Sequence, residues 1–180
     1  MDKVKFNYDN IHVGDLVLCG SYMPLAMVIK FFSSGIEHVF DVKIPSHVGI
    51  IVEAHGQKLI AEMLKDGLAL NSLEKYNKGK FNKYIIDIRR SKVYSSAEKR
   101  KRLNEAVFKD VRYTLDYDFK GLLNFVISRV KQSSDRYYCS EYFIHQTKID
   151  GAFFPARFDI KASPADLLEL SDWKSINWKL

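Results

Sequence analysis

The pattern of apolar and polar positions divides the chain into a β-rich first half and a helical second half. Asp15 to Cys19 (DLVLC) is a short apolar run after the Gly14-Asp15 turn and reads as a buried strand. Pro24 to Phe32 reads as a short helix with proline near its first turn, and residues 33–45, which contain Ser33-Ser34-Gly35 and Pro45, read as a loop. His47 to Glu53 and Lys58 to Leu64 are apolar, β-branched runs separated by Ala54-His55-Gly56-Gln57, the pattern of a tight hairpin. A short strand is expected at Gly67 to Leu70 and another at Lys83 to Arg89 (KYIIDIR).

The period then changes. Ser95-Ser96-Ala97-Glu98 has the S-x-x-E form of a capping box, and Leu103, Val107 and Val111 follow at four-residue spacing, which predicts an amphipathic helix. Phe119 to Val130 predicts a second helix, with Asp116 and Asp118 as candidate caps. A third is expected to start around Cys139, after the loop signal Ser133-Ser134-Asp135, and a fourth at Ser163-Pro164. Strands first and helices afterwards, with no repeat, linker or low-complexity tract, predict one domain over residues 1–180. Its expected class is α+β, an antiparallel sheet packed against helices.

Composition narrows the picture. At 180 residues, 47% hydrophobic and 28% charged, the chain is long enough for a core and too apolar for a disordered polymer. The opening residues MDKVKFNYDN hold no apolar stretch, and runs such as Pro24 to Ile29 and Val48 to Val52 are too short to span a bilayer. The expectation is a cytoplasmic product without a transmembrane segment, or one released by another route. The net charge of +6 favours polyanionic partners, but the densest run, Glu98-Lys99-Arg100-Lys101-Arg102, falls on the predicted amphipathic helix, where a solvated face explains it. No specific nucleic-acid partner is expected, and the oligomeric state is open. The two cysteines, Cys19 and Cys139, carry no CxxC or paired Cys/His spacing, so neither a structural zinc site nor a cofactor is expected.

A thiol nucleophile needs a lowered pKa, a base within reach and a group that orients the base. Cys139 lies in Arg136-Tyr137-Tyr138-Cys139-Ser140-Glu141, where a loop gives way to a helix. At a helix N-terminus the unpaired N–H groups favour thiolate and can also hold an oxyanion. The competing reading is an inert cysteine packed among aromatics. His47 opens an apolar strand, where a histidine needs a hydrogen bond or an edge; a satisfied, partly exposed histidine is the plainer reading. If the hairpin turn centres on His55-Gly56, Gly49 faces Glu62 and His47 faces Leu64. Glu62 then shares a sheet face with His47, one diagonal step away, within reach of long side chains. A slip of one residue would put Glu62 on the other face. A carboxylate in Leu59-Ile60-Ala61-Glu62-Met63-Leu64 needs a partner, and an imidazole is a good one.

Gly14-Asp15-Leu16-Val17, Ser46-His47-Val48-Gly49-Ile50 and Tyr138-Cys139-Ser140-Glu141 together resemble the circularly permuted branch of the NlpC-like, papain-related superfamily, the YiiX/YebB-like and LRAT-like group. Tyr117-Asp118 ahead of a helix and Ser163-Pro164-Ala165-Asp166-Leu167 add to the likeness, which spans roughly residues 13–168. The resemblance implies a papain-like, permuted fold and a Cys-His-Glu triad on Cys139, His47 and Glu62. It also implies hydrolysis or transfer at an amide, ester or thioester carbonyl through an acyl-enzyme. Many relatives carry an export signal, and these opening residues do not resemble one, which leaves access to cell wall in question.

Cys19 is the rival nucleophile, because Cys19-Gly20-Ser21 precedes His47 and Glu62 as in unpermuted relatives. It ends a strand close to His47 in sequence, so a core or cleft-lining role is preferred. His145 lies six residues after Cys139 and points to another side of a helix; His12, His38 and His55 fall in loops or turns. Asp15 is read first as ordering its turn, and it, Tyr138 and Ser140 are carried as candidate oxyanion or pocket residues. Glu141 suits a helix start. Residues 33–45 and Phe153-Phe154-Pro155 are candidate cleft walls. The first function expected is a cysteine peptidase or amidase acting on amide bonds of peptidoglycan-type peptides, its substrate a small peptide, amide or acyl compound. A lipid-directed thioesterase or acyltransferase, with Phe31, Phe32 and Phe125 lining a cleft, and an inert binding module are the alternatives.

Overall fold

The computed structural model describes residues 4–21, 26, 27, 29, 41, 43–64, 66–77, 83–112, 116, 117, 136, 137, 139–155, 158 and 162–180. Its strands are β1 (Leu16–Gly20), β2 (His47–Ala54), β3 (Gln57–Leu64), β4 (Gly67–Ser72), β5 (Tyr84–Ser91), β6 (Asp116–Tyr117), β7 (Arg136–Tyr137) and β8 (Trp173–Ser175). The α-helices are α1 (Glu74–Asn77), α2 (Ala97–Arg112) and α3 (Cys139–Ile149). Among the described residues, six strands form one antiparallel sheet in the order β4-β3-β2-β1-β5-β8, and β6 and β7 form a parallel pair. The α+β class expected from the sequence is the observed one. No helix among the described residues is long and apolar enough to cross a membrane.

The sheet is covered on both faces. On one side Leu16, Leu18, Val48, Ile50 and Val52 pack with Leu103 and Val107 of α2 and Tyr142 and Phe143 of α3. On the other, Val17, Cys19, Ile51, Ile60 and Ile88 pack with Phe6, Ile11, Tyr76 and Trp178. All five residues of β1 are buried, which is why DLVLC reads as a continuous apolar run instead of an alternating one. Two-sided burial hides the period of a strand.

The hairpin between β2 and β3 turns on two residues, His55 (φ 48°) and Gly56 (φ 75°), with Ala54 paired to Gln57. Both residues lie in the left-handed region that two-residue hairpin loops require, a conformation glycine adopts freely. The ladder carries Ile50 opposite Ala61, so the next rung sets Gly49 opposite Glu62. Gly49 has no room for a side chain: a Cβ there would lie 2.4 Å from Ile60 Cγ2 and 2.9 Å from the Ala61 carbonyl oxygen.

Several expectations need correction. The helix predicted at Ser163-Pro164 is a single 3₁₀ turn, Asp166–Glu169. Ser163 and Asp166 do bond reciprocally (Ser163 N to Asp166 Oδ2 2.7 Å, Asp166 N to Ser163 Oγ 3.2 Å), but the chain returns to extended geometry at Leu170. Residues Lys92–Ser95 form a 3₁₀ turn of their own, and α2 begins at Ala97, one turn-residue later than the Ser95 cap implied. β8 was not foreseen, since three residues carry no period of their own and stand only by pairing with β5. Residues 26, 27 and 29 are helical as expected. The predicted helix Phe119 to Val130, Asp118 and most of the predicted loop 33–45 lie outside the described residues.

Gly49→Ala forces a methyl group into the Ile60 and Ala61 contact and is expected to destabilise the protein by about 1–3 kcal/mol. Urea unfolding followed by circular dichroism checks this; an unchanged midpoint would mean that β2 and β3 can move apart at no cost.

Candidate active site

Cys139 is the first residue of α3, 5% exposed and a free thiol. The first N–H groups of a helix have no partner within it and carry the positive end of the helix dipole, so this end suits an anionic sulfur or oxyanion. Ser140 is fully buried and its Oγ donates to the Ala162 carbonyl at 2.5 Å, which ties the start of α3 to the later segment. That hydroxyl is committed to the backbone. Tyr138 lies outside the described residues.

His47 opens β2 and keeps 20% of its side chain exposed. Its Nε2 lies 2.8 Å from Glu62 Oε2, and the ring also hydrogen-bonds Cys139. With Nε2 engaged by the carboxylate, Nδ1 is the nitrogen left to face the sulfur. Burial of the ring disfavours its charged form; the negative charge and hydrogen bond of Cys139, then those of Glu62, outweigh burial and raise the His47 pKa to about 10. The raised pKa favours an imidazolium, placed between the Cys139 sulfur and the Glu62 carboxylate.

Glu62 has no exposure. Besides His47 it receives Asn71 Nδ2 on Oε1 at 2.7 Å and the Tyr76 hydroxyl on Oε2, and Lys75 Nζ stands 3.7 Å from Oε1. Burial pushes its pKa up, but the bond and charge of His47, the Tyr76 hydroxyl and the Lys75 charge together hold it at about 2. The carboxylate is ionised inside the core because three hydrogen-bond donors and the nearby Lys75 charge offset its burial.

The structure thus brings Cys139, His47 and Glu62 together, from α3, β2 and β3. It does not bring Asp15 to them. Asp15 precedes β1 at the end away from Cys19 and His47, and its fully buried carboxylate accepts Arg90 Nε and Nη2 (2.8 Å each) and the His12 N–H (2.8 Å). As a pocket residue Asp15 is corrected to a brace between β1 and β5. Cys19 stands directly opposite His47 across β1 and β2, is buried, and hydrogen-bonds Tyr76. Burial, then the charge of Glu62, pushes its thiol well above the usual range, so it is neutral. His145 is exposed on α3 and His55 sits in the hairpin turn; His38 lies outside the described residues, as do Phe31, Phe32 and Phe125. Phe153 is exposed while Phe154 is core.

Asn71, Lys75 and Tyr76 escaped the sequence reading. Asn71 continues β4 two residues beyond Ala69, which pairs with Glu62, and a polar residue inside that strand was the available signal. Tyr76 and Lys75 stand on α1, whose four residues are too few to show a period.

The family model described as "Permuted papain-like amidase enzyme, YaeF/YiiX, C92 family" matches residues 10–147. The chain belongs to this family of permuted papain-like amidases. In chain order the strand that opens with His47, β2, comes before the helix that opens with Cys139, α3. No curated protein sequence matches significantly. Among solved structures, the crystal structure of metalloprotein YiiX from Escherichia coli O157:H7 matches with a TM-score of 0.65 at 14% identity, over 94% of this chain and 98% of that one. At this identity the likeness speaks for the fold, and the amidase family assignment gives the class, a cysteine hydrolase.

Linkage gives this amidase a testable acid limb. The Glu62 pKa is lowered on folding from 4.5 to about 2, so its contribution to stability is complete above pH 4.5 and is lost as pH falls toward 2. Denaturant titrations from pH 2 to 6 are expected to show Glu62→Gln lacking that decline, a difference of roughly 3 kcal/mol across the window. Parallel curves for the two proteins would contradict the ionised, buried state.

Proposed function

We propose that Cys139, His47 and Glu62 form the catalytic triad of this amidase, with residues 1–180 acting as one domain, and that its substrates are amide bonds in small, acidic peptides of the peptidoglycan type. The observation that carries this is the position of the His47 ring, hydrogen-bonded to the Cys139 sulfur on one side and to the buried Glu62 on the other. The excess of 28 basic over 22 acidic residues favours approach of an acidic peptide.

In the resting enzyme the proton resides on His47 and the sulfur is thiolate. The thiolate attacks the amide carbonyl carbon, and the oxyanion is held by backbone N–H groups at the start of α3. The imidazolium then gives its proton to the leaving nitrogen, the C–N bond breaks, and a thioester to Cys139 remains. A water molecule, deprotonated by His47, attacks the thioester; the acid departs and the thiolate–imidazolium pair returns. Throughout, Glu62 keeps the ring in one tautomer and orientation. The E. coli relative is described as a metalloprotein. Among the described residues of this chain no group of three or more His, Cys, Asp or Glu side chains is arranged to hold a metal ion, and no step here runs through one.

A thiol-directed acyl probe is expected to label wild type and Cys19→Ala but not Cys139→Ala, and His47→Gln is expected to slow labelling by about 10²–10⁴. Hydrolysis of a peptidoglycan-type tetrapeptide amide should follow the same order, with a basic limb near pH 10 where the imidazolium proton is lost. Labelling that disappears only in Cys19→Ala would reverse the assignment of the nucleophile.

A further inference from the structure

Tyr76 and Cys19 are buried polar groups that take no part in the steps above; Tyr76 bonds the group that orients the base, and Cys19 is bonded to Tyr76. Tyr76 donates to Glu62 Oε2, the same oxygen that His47 Nε2 meets at 2.8 Å. Cys19 hydrogen-bonds Tyr76 from β1 and stands opposite His47 in the sheet. We propose that Tyr76 is a positioning residue for Glu62, and that the Cys19 thiol orients Tyr76, so that one hydrogen-bonded chain fixes the angle at which His47 meets Cys139. This inference rests on the triad reading.

Proton counting sets the direction of the chain. A tyrosine hydroxyl has one proton and spare lone pairs. An ionised carboxylate forms the stronger, charge-assisted bond, so that proton points at Glu62. The Tyr76 oxygen is then an acceptor, and the Cys19 S–H is the donor beside it. A neutral Cys19 can fill this role, and a thiolate there could not. The order is Cys19 S–H to Tyr76 O, Tyr76 O–H to Glu62 Oε2, and His47 Nε2–H to the same oxygen. Asn71 holds the other oxygen. The last torsion of a glutamate is broad, so a carboxylate bonded to one donor turns easily. Three donors on two oxygens fix its plane, and with it the line from Nε2 through the ring to the sulfur. Among the described residues, the charged and titratable groups facing this cluster are Lys75 beside Oε1, Lys83 with its Nζ 5.9 Å from the centre of the Tyr76 ring, and the Cys139 side chain across His47. A phenylalanine at position 76 keeps the ring, its packing and the Lys83 contact, and removes only the hydroxyl.

The test follows the His47 imidazole by NMR across pH and measures alkylation of Cys139 by iodoacetamide at neutral pH. In Tyr76→Phe the His47 titration is expected to move down by about one pH unit from its wild-type value, with alkylation slowed by about tenfold. Cys19→Ala should give a smaller shift in the same direction, and Cys19→Ser, which keeps a donor, should restore wild-type behaviour. An unshifted His47 in Tyr76→Phe would reduce Tyr76 to packing. An upward shift would mean that its hydroxyl only draws charge from the carboxylate. Either result overturns the proposal, provided that Glu62→Gln lowers the His47 titration as the triad requires. If Glu62→Gln leaves His47 and Cys139 alkylation at wild-type values, the triad reading itself fails.

Discussion

An ionised carboxylate with no access to water is the constraint around which this molecule is arranged. Burying a lone charge costs several kcal/mol or more, and the cost falls away only where donors meet it from every side. Glu62 meets that condition through four neighbours on three elements: His47 from β2, Asn71 from β4, and Lys75 and Tyr76 from α1. The order of strands β2, β3 and β4 is therefore a condition for the charge as well as for the sheet. A one-residue slip on either side of β3 would turn Glu62 or Asn71 to the opposite face and leave the carboxylate alone. The two-residue turn at His55-Gly56 guards one side of β3, and the Leu64 to Gly67 pairing guards the other.

Permutation of a papain-like fold is tolerable for a related reason. What the proposed triad requires is the meeting of a helix N-terminus with a strand end, and the order in which the chain visits them is immaterial. α3 packs on the Val48 and Ile50 side of the sheet, which sets Cys139 beside the start of β2. Glu62, Tyr76 and Cys19 belong to the other side. His47 lies where β2 begins, so its ring connects a sulfur on the helix side with a carboxylate on the far side. A histidine one or two residues deeper in β2 would be walled off from one of them.

The parts of the site that were legible in the sequence are those written in short-range pattern. The His55-Gly56 turn sets a register, the register sets the faces, and Glu62 in an apolar strand demanded a partner; these three facts sufficed to bring Glu62 to His47. The change from loop to helix before Cys139 likewise placed the sulfur at a helix start. The rest depended on long-range packing. Asp15 carries no local sign that Arg90, 75 residues away, will take both its oxygens. The reach of Tyr76 to Glu62 depends on a four-residue helix whose position is fixed by its neighbours. The apolar run of β1 concealed its period because both faces are covered, and β8 exists only as a partner of β5.

The two cysteines show how far surroundings decide chemistry. Both are buried free thiols, and both lie next to the same imidazole. Cys139 has the positive, N-terminal end of α3 beneath it and the His47 ring before it, so an anion there would be met by positive charge on two sides. Cys19 is enclosed in the sheet among Val17, Ile51 and Ile60, where burial and then the negative charge of Glu62 push its pKa up by more than the Tyr76 bond and the Lys83 charge lower it. A thiolate at position 19 would be repelled by the very carboxylate that makes His47 a strong base. In the proposed triad the carboxylate that supports His47 thus also keeps Cys19 neutral, and the surroundings of each sulfur, not its place in chain order, set it apart from the other.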